Sequence, residues 1–216
     1  MLLESTDLHM SFGGRQVLSG ASLEVQAGET VAVLGPSGSG KTTLLSVCGL
    51  LLRADSGSVR IDGQEVTRMS QLRPGAIGWV LQQSNSFPRR TVLDNVALGS
   101  LAAGFSHAES QELSERALTD VGLSGRLHSE ARELSGGELQ RMCVARSIAA
   151  RPKLILADEP TGGLDEENSR HVASLLRQVS STGATVVVAT HDLALAQACH
   201  RVVEMHKGRL QIEESQ

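Results

Sequence analysis

An α/β fold built on a mainly parallel sheet is predicted by three features of the sequence. The runs LILA (154–157) and TVVVA (185–189) are apolar without polar alternation, which is typical of strands covered on both faces by helices. A glycine-rich loop joins another apolar run, residues 30–34, to a segment with helical periodicity. Turn-forming pairs such as Asp62-Gly63 separate short strands, so an antiparallel β edge is expected beside the parallel sheet.

The order of the elements follows from apolar runs and helical periodicity between turn-forming glycines. The expected strands lie at residues 23–25, 30–34, 58–61, 77–81, 154–157, 185–189 and 202–205. The expected helices lie at residues 41–52, 92–98, 108–121, 137–149, 166–180 and 193–198. Because strand patterns are missing between Phe87 and Leu134, a helical subdomain over about residues 87–150 is expected inside an α/β core of residues 1–86 and 151–216.

Composition excludes several classes of protein. The 216 residues include three phenylalanines, one tryptophan and no tyrosine, and 20 basic against 24 acidic side chains give a net charge of −4. A single-strand nucleic-acid binder needs several aromatic faces and a basic surface, so no nucleic-acid partner is expected. The most apolar stretch, residues 44–52, is about half the ~20 residues of a membrane span, so no direct membrane insertion is expected. The three cysteines lack zinc-site spacing and are expected to be buried free thiols.

The glycine-rich loop indicates a site for a nucleoside triphosphate. Residues 35–42 match the pattern GxxxxGK[ST], with a strand before and a helix after. In such a loop, backbone N–H groups and the helix N-terminus surround phosphate oxygens. We expect Lys41 to reach the β- and γ-phosphates and Thr42 to bind Mg²⁺. The alternative, a turn that merely ends a strand, is disfavoured by the lysine, the threonine and the flanking elements. The predicted core is therefore that of a P-loop NTPase.

Two carboxylates at the end of a buried strand are expected at the same phosphates. Asp158 and Glu159 follow the run LILA, and ligands of parallel sheets bind at the carboxyl ends of strands. Asp158 is expected to hold Mg²⁺, and Glu159 to orient and deprotonate the attacking water. The division of these roles is less firmly indicated than the participation of both. The alternative is a solvated acidic turn.

The segment Leu134-Ser135-Gly136-Gly137-Glu138 precedes an amphipathic helix. Ser135 and Glu138 have the spacing of a capping box, which is a purely structural interpretation. A cap does not require two glycines, however, and glycine weakens a first helical turn. The pair of glycines therefore indicates close approach by another group, and the helix N-terminus favours an anion there.

Over essentially its whole length, the sequence resembles an ATP-binding cassette, the nucleotide-binding subunit of ABC transporters. The motifs occur in the family's order, and the LSGG segment is the most specific because ordinary P-loop proteins lack it. They are GPSGSGKTT at 35–43 (Gly35, Pro36, Ser37, Gly38, Ser39, Gly40, Lys41, Thr42, Thr43), Gln82, LSGGE at 134–138, LILADEP at 154–160, Leu164-Asp165 and His191. Below, residues 35–43 are the phosphate loop and residues 134–138 the signature segment.

The resemblance implies roles for residues that would otherwise be unremarkable. Gln82 resembles the glutamine that touches Mg²⁺ or the lytic water and senses the membrane partner. His191 resembles the switch histidine at the γ-phosphate, although with the following aspartate it also fits a helix cap. Asp165 resembles the aspartate that couples two subunits, its alternative being an acidic first helical turn. Phe12 stands where an aromatic stacks on adenine, with a buried packing role as the alternative, and Val17 is a further candidate contact to the nucleotide.

The resemblance also implies the cofactors, the partners and the location. Two cassettes would pair head to tail, so that each signature segment closes the other chain's ATP site and ATP with Mg²⁺ is hydrolysed at the interface. An integral membrane permease would dock on the helical part after Gln82, where Phe87, Arg89 and Arg90 are candidate contacts or merely surface residues. The chain would be a peripheral subunit at the cytoplasmic face of the cell membrane.

The signature segment ends in Glu138 where glutamine is usual, and residues 162–165 read GGLD. The residues of these motifs are most similar to those of the branch that includes lipoprotein-release, macrolide-export and cell-division cassettes. A force-transmitting cassette without a transported substrate stays open as an alternative, and a soluble ABC ATPase acting on DNA or ribosomes is less well supported. A small-molecule kinase is disfavoured by the signature segment and His191.

Overall fold

The computed structural model describes residues 1–82, 85–181 and 183–212. Within these ranges the strands are β1 (Leu3–Phe12), β2 (Arg15–Val25), β3 (Thr30–Leu34), β4 (Ser56–Ile61), β5 (Gln64–Glu65), β6 (Ile77–Val80), β7 (Leu154–Asp158), β8 (Thr185–Thr190), β9 (Arg201–His206) and β10 (Arg209–Ile212). The α-helices are α1 (Lys41–Cys48), α2 (Val92–Ala102), α3 (His107–Asp120), α4 (Gly136–Ala149), α5 (Glu166–Ser181) and α6 (Leu193–Gln197). The predicted α/β class is confirmed.

The larger sheet has the strand order β10-β9-β3-β8-β7-β6, and its strands from β9 to β6 run parallel. Alternate residues of β7 pack on opposite faces: Leu154 and Leu156 share one core with α1, and Ile155 and Ala157 share a second core with α4, α5 and α6. Every residue of β7 is buried. Helices on both faces therefore explain why the strand lacks polar alternation.

The antiparallel edge is larger than the turn signals indicated. A second sheet has the order β2-β1-β4-β5, and β10 adds an antiparallel edge to the main sheet. No sequence pattern indicated β1, and only residues 23–25 of β2 were predicted. The pairing of β1 shifts register around Asp7, which has φ of +49°, so the period-two pattern that marks a strand is interrupted.

Helix α1 ends at Cys48, four residues before the predicted end. A Cβ at Gly49 would lie 2.0 Å from the ring of Trp79, and Leu50 adopts a left-handed φ of +60°. Helix α1 therefore ends at the point where Gly49 packs against Trp79 of β6. By contrast, α3 begins as predicted, with Ser106 and Glu109 forming a reciprocal capping box.

Helices α2, α3 and α4 occupy the chain between β6 and β7, and they contact one another. The boundaries of a helical subdomain at about residues 87 and 150 stay a prediction. Cys48 and Cys143 are buried as expected, whereas Cys199 is only half-buried. Burial raises the pKa of the Cys48 thiol to about 12.

Candidate functional site

The four predicted catalytic segments follow neighbouring strands of the larger sheet. β3 leads into the phosphate loop, β8 precedes His191, β7 ends at Asp158 before Glu159, and β6 leads towards Gln82. These strands are adjacent in the order β3-β8-β7-β6 and parallel. Because the carboxyl ends of parallel strands lie at one edge of a sheet, the topology brings all four segments to that edge.

The phosphate loop is tight because two of its glycines touch backbone atoms of other segments. A Cβ at Gly35 would lie 2.4 Å from the carbonyl oxygen of Met205, and a Cβ at Gly40 would lie 2.9 Å from that of Val17. Gly40 also has φ of +109°, and α1 begins directly after it at Lys41. The glycine pattern therefore reflects close packing as well as backbone freedom.

Lys41 lies at the centre of this edge. Its side chain is 6% exposed, and its Nζ donates to the carbonyl oxygens of Gly35 at 2.7 Å and Pro36 at 3.3 Å. The same ammonium lies 3.4 Å from Oε1 of Glu159. The loop thus holds a buried cation close to one of the two predicted catalytic carboxylates.

The residues of the phosphate loop fit a polyphosphate. Helix α1 begins without a side-chain cap, so its first N–H groups need another acceptor. Within the described part of the chain, the buried Ser39 hydroxyl has no hydrogen-bond partner. Pro36, Ser37 and Gly38 are exposed at the rim of the loop. Uncapped N–H groups, a free hydroxyl and a buried cation together form an anion site.

Thr42 and Asp158 form a pair of oxygen donors suited to Mg²⁺. The Thr42 hydroxyl donates to Oδ1 of Asp158 over 3.1 Å. Burial, together with the neighbouring negative charge of Glu159, raises the pKa of Asp158, although the hydrogen bond from Thr42 and the charge of Lys41 oppose this. Among the described residues, His, Cys, Asp and Glu form no group large enough to hold a metal alone. Mg²⁺ is commonly held by one or two protein oxygens together with substrate phosphates, and Thr42 and Asp158 are two such oxygen donors.

The Glu159 carboxylate contacts Lys41 of the phosphate loop and the end of β8 with the residue that follows it. Its Oε2 lies 2.9 Å from Nδ1 of His191 and accepts a 3.4 Å hydrogen bond from the Thr190 hydroxyl. Its backbone has φ of +46°, which is unfavourable for a residue other than glycine and marks functional sites more often than others. The carboxylate is 12% exposed and the His191 ring 62% exposed, so the imidazole presents its outer edge to solvent.

Gln82 reaches the same loop from β6. A Cβ added to Gly162 would lie 3.3 Å from Nε2 of Gln82, so this amide lies against the loop that follows Glu159. The structure therefore brings Gln82, His191, Lys41 and the two carboxylates together as the motifs implied.

The polar contacts of the signature segment in the described residues are with its own helix and with Arg126. Ser135 caps α4: its hydroxyl accepts from the N–H of Glu138 at 3.3 Å, and its own N–H donates to Oε2 of Glu138 at 2.9 Å. Across the described ranges, no hydrogen bond or ion pair joins the signature segment to the phosphate loop. The capping interpretation is thus confirmed.

The two glycines of the signature segment have different surroundings. A Cβ at Gly137 would lie 2.4 Å from Oδ1 of Asn168, whereas a Cβ at Gly136 would meet nothing within 4 Å. Asn168 belongs to the first turn of α5, and its Nδ2 donates to both carboxylate oxygens of Asp165 at 2.9 Å. Part of the glycine requirement therefore comes from within the chain, and Gly136 alone is open to an outside group.

Phe12 and Val17 lie on β1 and β2 of the antiparallel sheet, and Val17 lies beside Gly40 of the phosphate loop. Phe12 ends β1 opposite Arg15 and is 48% exposed, so the alternative of a buried packing residue is wrong. Val17 is half-buried, and its carbonyl oxygen contacts Gly40 and Gly208. The contact of Val17 with Gly40 places Val17 at the phosphate loop, and the stacking role of Phe12 stays a prediction.

The candidate docking residues lie on a braced segment. Phe87, Arg89 and Arg90 are exposed. The fully buried Asn95 accepts from the N–H of Phe87 at 2.8 Å and donates to its carbonyl oxygen at 3.0 Å. Arg146 of α4 donates to the carbonyl oxygens of Asn95 at 2.9 Å and Asn85 at 2.5 Å. Asn85 and Phe87 are thereby tied, through Asn95 and Arg146, to the helix that follows the signature segment.

Several residues of the site were missed by sequence reasoning. Asn95, Arg146, Asn168 and Arg126 hold the functional loops through contacts between distant parts of the chain. A buried asparagine in an apolar helical pattern was a usable signal for Asn95. The other three occupy positions where a solvated polar residue is equally typical.

Comparison with known proteins supplies independent evidence. The model of the ABC transporter family matches residues 18–162. The lipoprotein-releasing system ATP-binding protein LolD of Porphyromonas gingivalis is 40% identical over 97% of this chain and 99% of its own length. The macrolide export ATP-binding/permease protein MacB of Bdellovibrio bacteriovorus is 39% identical over 92% of this chain, which spans 31% of MacB.

Solved structures agree in fold. The ATP-binding cassette MJ0796 in its dimeric post-hydrolysis state with ADP and Pi superposes with a TM-score of 0.88, with 31% identity over 99% of this chain and 98% of that one. A second dimeric structure of MJ0796 gives a TM-score of 0.87, with 32% identity over 97% of both chains. Across the described residues, the present chain has no helix of sufficient length and apolarity to span a bilayer.

Proposed function

Since the chain belongs to the ABC transporter family and is an ATP-binding cassette, we propose that it powers a membrane transporter of the lipoprotein-release or macrolide-export type. Membership of the family confirms the resemblance drawn from the motifs. The protein is an ATPase that uses ATP with Mg²⁺ and acts as a dimer of cassettes. One observation carries the assignment of the site: the phosphate loop, both carboxylates, Gln82 and His191 share one sheet edge.

The phosphate loop binds the triphosphate. Its uncapped helix N-terminus and the Ser39 hydroxyl donate to phosphate oxygens, and Lys41 exchanges its carbonyl partners for the β- and γ-phosphates. Phe12 stacks on the adenine from the antiparallel side. Thr42 and Asp158 would hold Mg²⁺, which would supply positive charge to offset the charge that develops on the transferred phosphoryl group.

Glu159 is the general base. Its carboxylate is buried, near the Lys41 ammonium, and oriented by His191 and Thr190. A water beside this carboxylate attacks the γ-phosphorus in line and passes its proton to Glu159. The bond from the γ-phosphorus to the β–γ bridging oxygen breaks, and ADP leaves. His191 donates from Nδ1 to this carboxylate, so its exposed edge is available to the γ-phosphate. Gln82 completes the arrangement from β6.

The second half of each site comes from a second copy of the chain. The signature segment of one chain presents the N-terminus of α4, the Ser135 hydroxyl and the open face of Gly136. In a head-to-tail pair these groups close on the γ-phosphate held by the other chain, so ATP joins the two cassettes. Hydrolysis removes the γ-phosphate and releases the pair.

The membrane partner docks on the segment that follows Gln82. Phe87 is 54% exposed and stands beside Arg89 and Arg90, and Asn95 with Arg146 holds the segment rigidly. A permease seated there places the chain at the cytoplasmic face of the membrane as a peripheral subunit. Movement of the permease is transmitted to α4 through the same contacts.

A pair of matched variants tests the proposal. Ser135→Arg places a bulky cation in the signature segment, and Ser106→Arg removes the equivalent cap of α3, where Ser106 and Glu109 form the same reciprocal box. We expect both variants to bind ATP as monomers. In size-exclusion chromatography with ATP, the Ser106→Arg chain dimerises and the Ser135→Arg chain does not. ATP-driven dimerisation of Ser135→Arg equal to that of the parent contradicts the proposal.

A further inference from the structure

Arg126 forms an ion pair with the signature segment. Its Nε donates to Oε1 of Glu138 at 3.1 Å, while Oε2 of the same carboxylate accepts from the N–H of Ser135 at 2.9 Å. Arg126 ends a 3₁₀ turn (Ser124–Arg126) and is half exposed, whereas the Glu138 side chain is 18% exposed. The carboxylate that caps the signature helix is thus shared between that helix and a distant arginine.

Glu138 carries a full negative charge. The N–H of Ser135 is the main cause that lowers the pKa of the Glu138 carboxyl, and Arg126 contributes in the same direction against the effect of burial. A negative charge in the first turn stabilises the helix, but it also occupies the positive end of the helix dipole. It therefore repels any other anion that approaches the same end.

The capping box of α3 is the internal comparison. Ser106 and Glu109 reproduce the reciprocal hydrogen bonds of Ser135 and Glu138, and Glu109 has no ion-pair partner among the residues that the structure describes. A cap of this kind therefore forms without an arginine in direct contact, although, after the hydrogen bonds from Ser106, the charge of Arg151 helps to lower the pKa of the Glu109 carboxyl. Because the cap does not require Arg126 in order to fold, the contact between Arg126 and Glu138 needs another explanation.

We propose that Arg126 is a positioning residue for ATP-driven dimerisation: it neutralises Glu138 and holds its carboxylate, so that the signature segment accepts the triphosphate bound by a second chain. This inference rests on the proposed function. It also explains how the chain accommodates glutamate at the signature position where glutamine is usual, since the added negative charge is balanced within the same chain.

The experiment is a double-mutant cycle in the full chain carrying Glu159→Gln to prevent hydrolysis. Arg126→Ala, Arg126→Gln, Arg126→Lys, Glu138→Gln and the combination of Arg126→Ala with Glu138→Gln are compared. Analytical ultracentrifugation with ATP and Mg²⁺ gives the dimer dissociation constant, and titration with ATP below the dimerising concentration gives monomer affinity. Thermal unfolding verifies that each variant is folded.

We expect Arg126→Ala to weaken each site about fivefold at low salt. Because a symmetric dimer has two sites, the dimer dissociation constant rises about 25-fold, and the effect shrinks towards none in 0.5 M salt (about a 4–5 Å screening length). Arg126→Gln behaves like Arg126→Ala, Arg126→Lys retains most of the affinity, and monomer ATP affinity is unchanged. In the Glu138→Gln chain, Arg126→Ala changes the dimer dissociation constant by less than about twofold.

Two results would overturn the inference. An equal loss from Arg126→Ala with and without the Glu138→Gln substitution shows that the arginine acts directly, not through the carboxylate. A dimer dissociation constant unaffected by Arg126→Ala shows that it has no role. Failure of the Glu159→Gln parent to dimerise with ATP is a distinct result, because it contradicts the proposed function itself and the inference with it.

Discussion

The carboxylate oxygen Oε2 of Glu159 lies 2.9 Å from the imidazole Nδ1 of His191, although the two residues follow different strands. The contact depends on the pairing of β7 with β8, which sets Asp158 opposite Ala189. The other oxygen of the same carboxylate, Oε1, lies 3.4 Å from Nζ of Lys41. One acidic side chain thus connects the phosphate loop to the segment after β8.

Lys41→Ala tests the phosphate loop. Loss of the buried ammonium removes the charge-assisted contacts to the β- and γ-phosphates, so ATP affinity is expected to fall about 100-fold. The matched control is Lys153→Ala, which removes an exposed lysine paired with Asp62; such pairs contribute little. Binding is measured by titration with a fluorescent ATP analogue, and equal affinity of the Lys41→Ala chain and the parent contradicts the assignment.

Asp158→Asn tests the electrostatic cost of the metal site. Because the pKa of Asp158 is raised in the folded chain, its ionised form disfavours folding at pH values above that folded pKa, and the penalty is absent below about pH 3.9, the unfolded value. The variant should therefore unfold at higher urea than the parent at pH 7, by on the order of 1 kcal/mol. The difference should shrink as the pH falls through the folded pKa. If the free energy of unfolding of Asp158→Asn at pH 7 is lower than that of the parent, the ionised Asp158 carboxylate does not destabilise the folded chain.

Gly137→Ala and Gly136→Ala separate the two glycines of the signature segment. A methyl group at Gly137 collides with Asn168, so the free energy of unfolding should fall by about 1–3 kcal/mol. A methyl group at Gly136 meets no atom, and alanine at that helical position should leave stability unchanged or raise it by up to about 1 kcal/mol. Urea unfolding of both variants provides the measurement. Combining Gly137→Ala with Asn168→Ala should recover part of the loss; equal stabilities of the two glycine variants would refute the packing argument.

Phe12→Ala tests the adenine contact. Stacking of a base on an aromatic ring is worth about 1–3 kcal/mol, so ATP affinity should fall about tenfold while the midpoint of thermal unfolding stays near that of the parent. Phe87→Ala is the control, because Phe87 is similarly exposed and lies outside the nucleotide site. Unchanged ATP affinity in the Phe12→Ala chain would remove Phe12 from the site.

Much of the site could be predicted because its residues act through local patterns. Lys41 and Thr42 follow a glycine loop whose spacing is fixed by phosphate geometry, and Asp158 and Glu159 follow a fully buried strand. The strands that precede these residues could also be predicted, because burial on both faces leaves an unbroken apolar run in the sequence.

The remaining contacts depend on tertiary packing. Asn168 meets Gly137 only because α5 lies beside the start of α4, and Arg126 reaches Glu138 across a loop. Strand β1 was missed because its register shifts near Asp7 break the alternation on which sequence reasoning relies. Helix α1 stops where Gly49 touches Trp79, a contact that no local pattern records.

The behaviour of the Glu159→Gln chain with ATP and Mg²⁺ decides whether this carboxylate drives hydrolysis. Without a base at this position, phosphate release should fall at least about 100-fold, while the intact phosphate loop and signature segment still bind ATP and join two chains. In size-exclusion chromatography the variant should therefore elute as a dimer with ATP and as a monomer without it, with little phosphate released. Phosphate release at the parent's rate, or a monomer at saturating ATP, would show that Glu159 is not the base of an ATP-joined pair of cassettes.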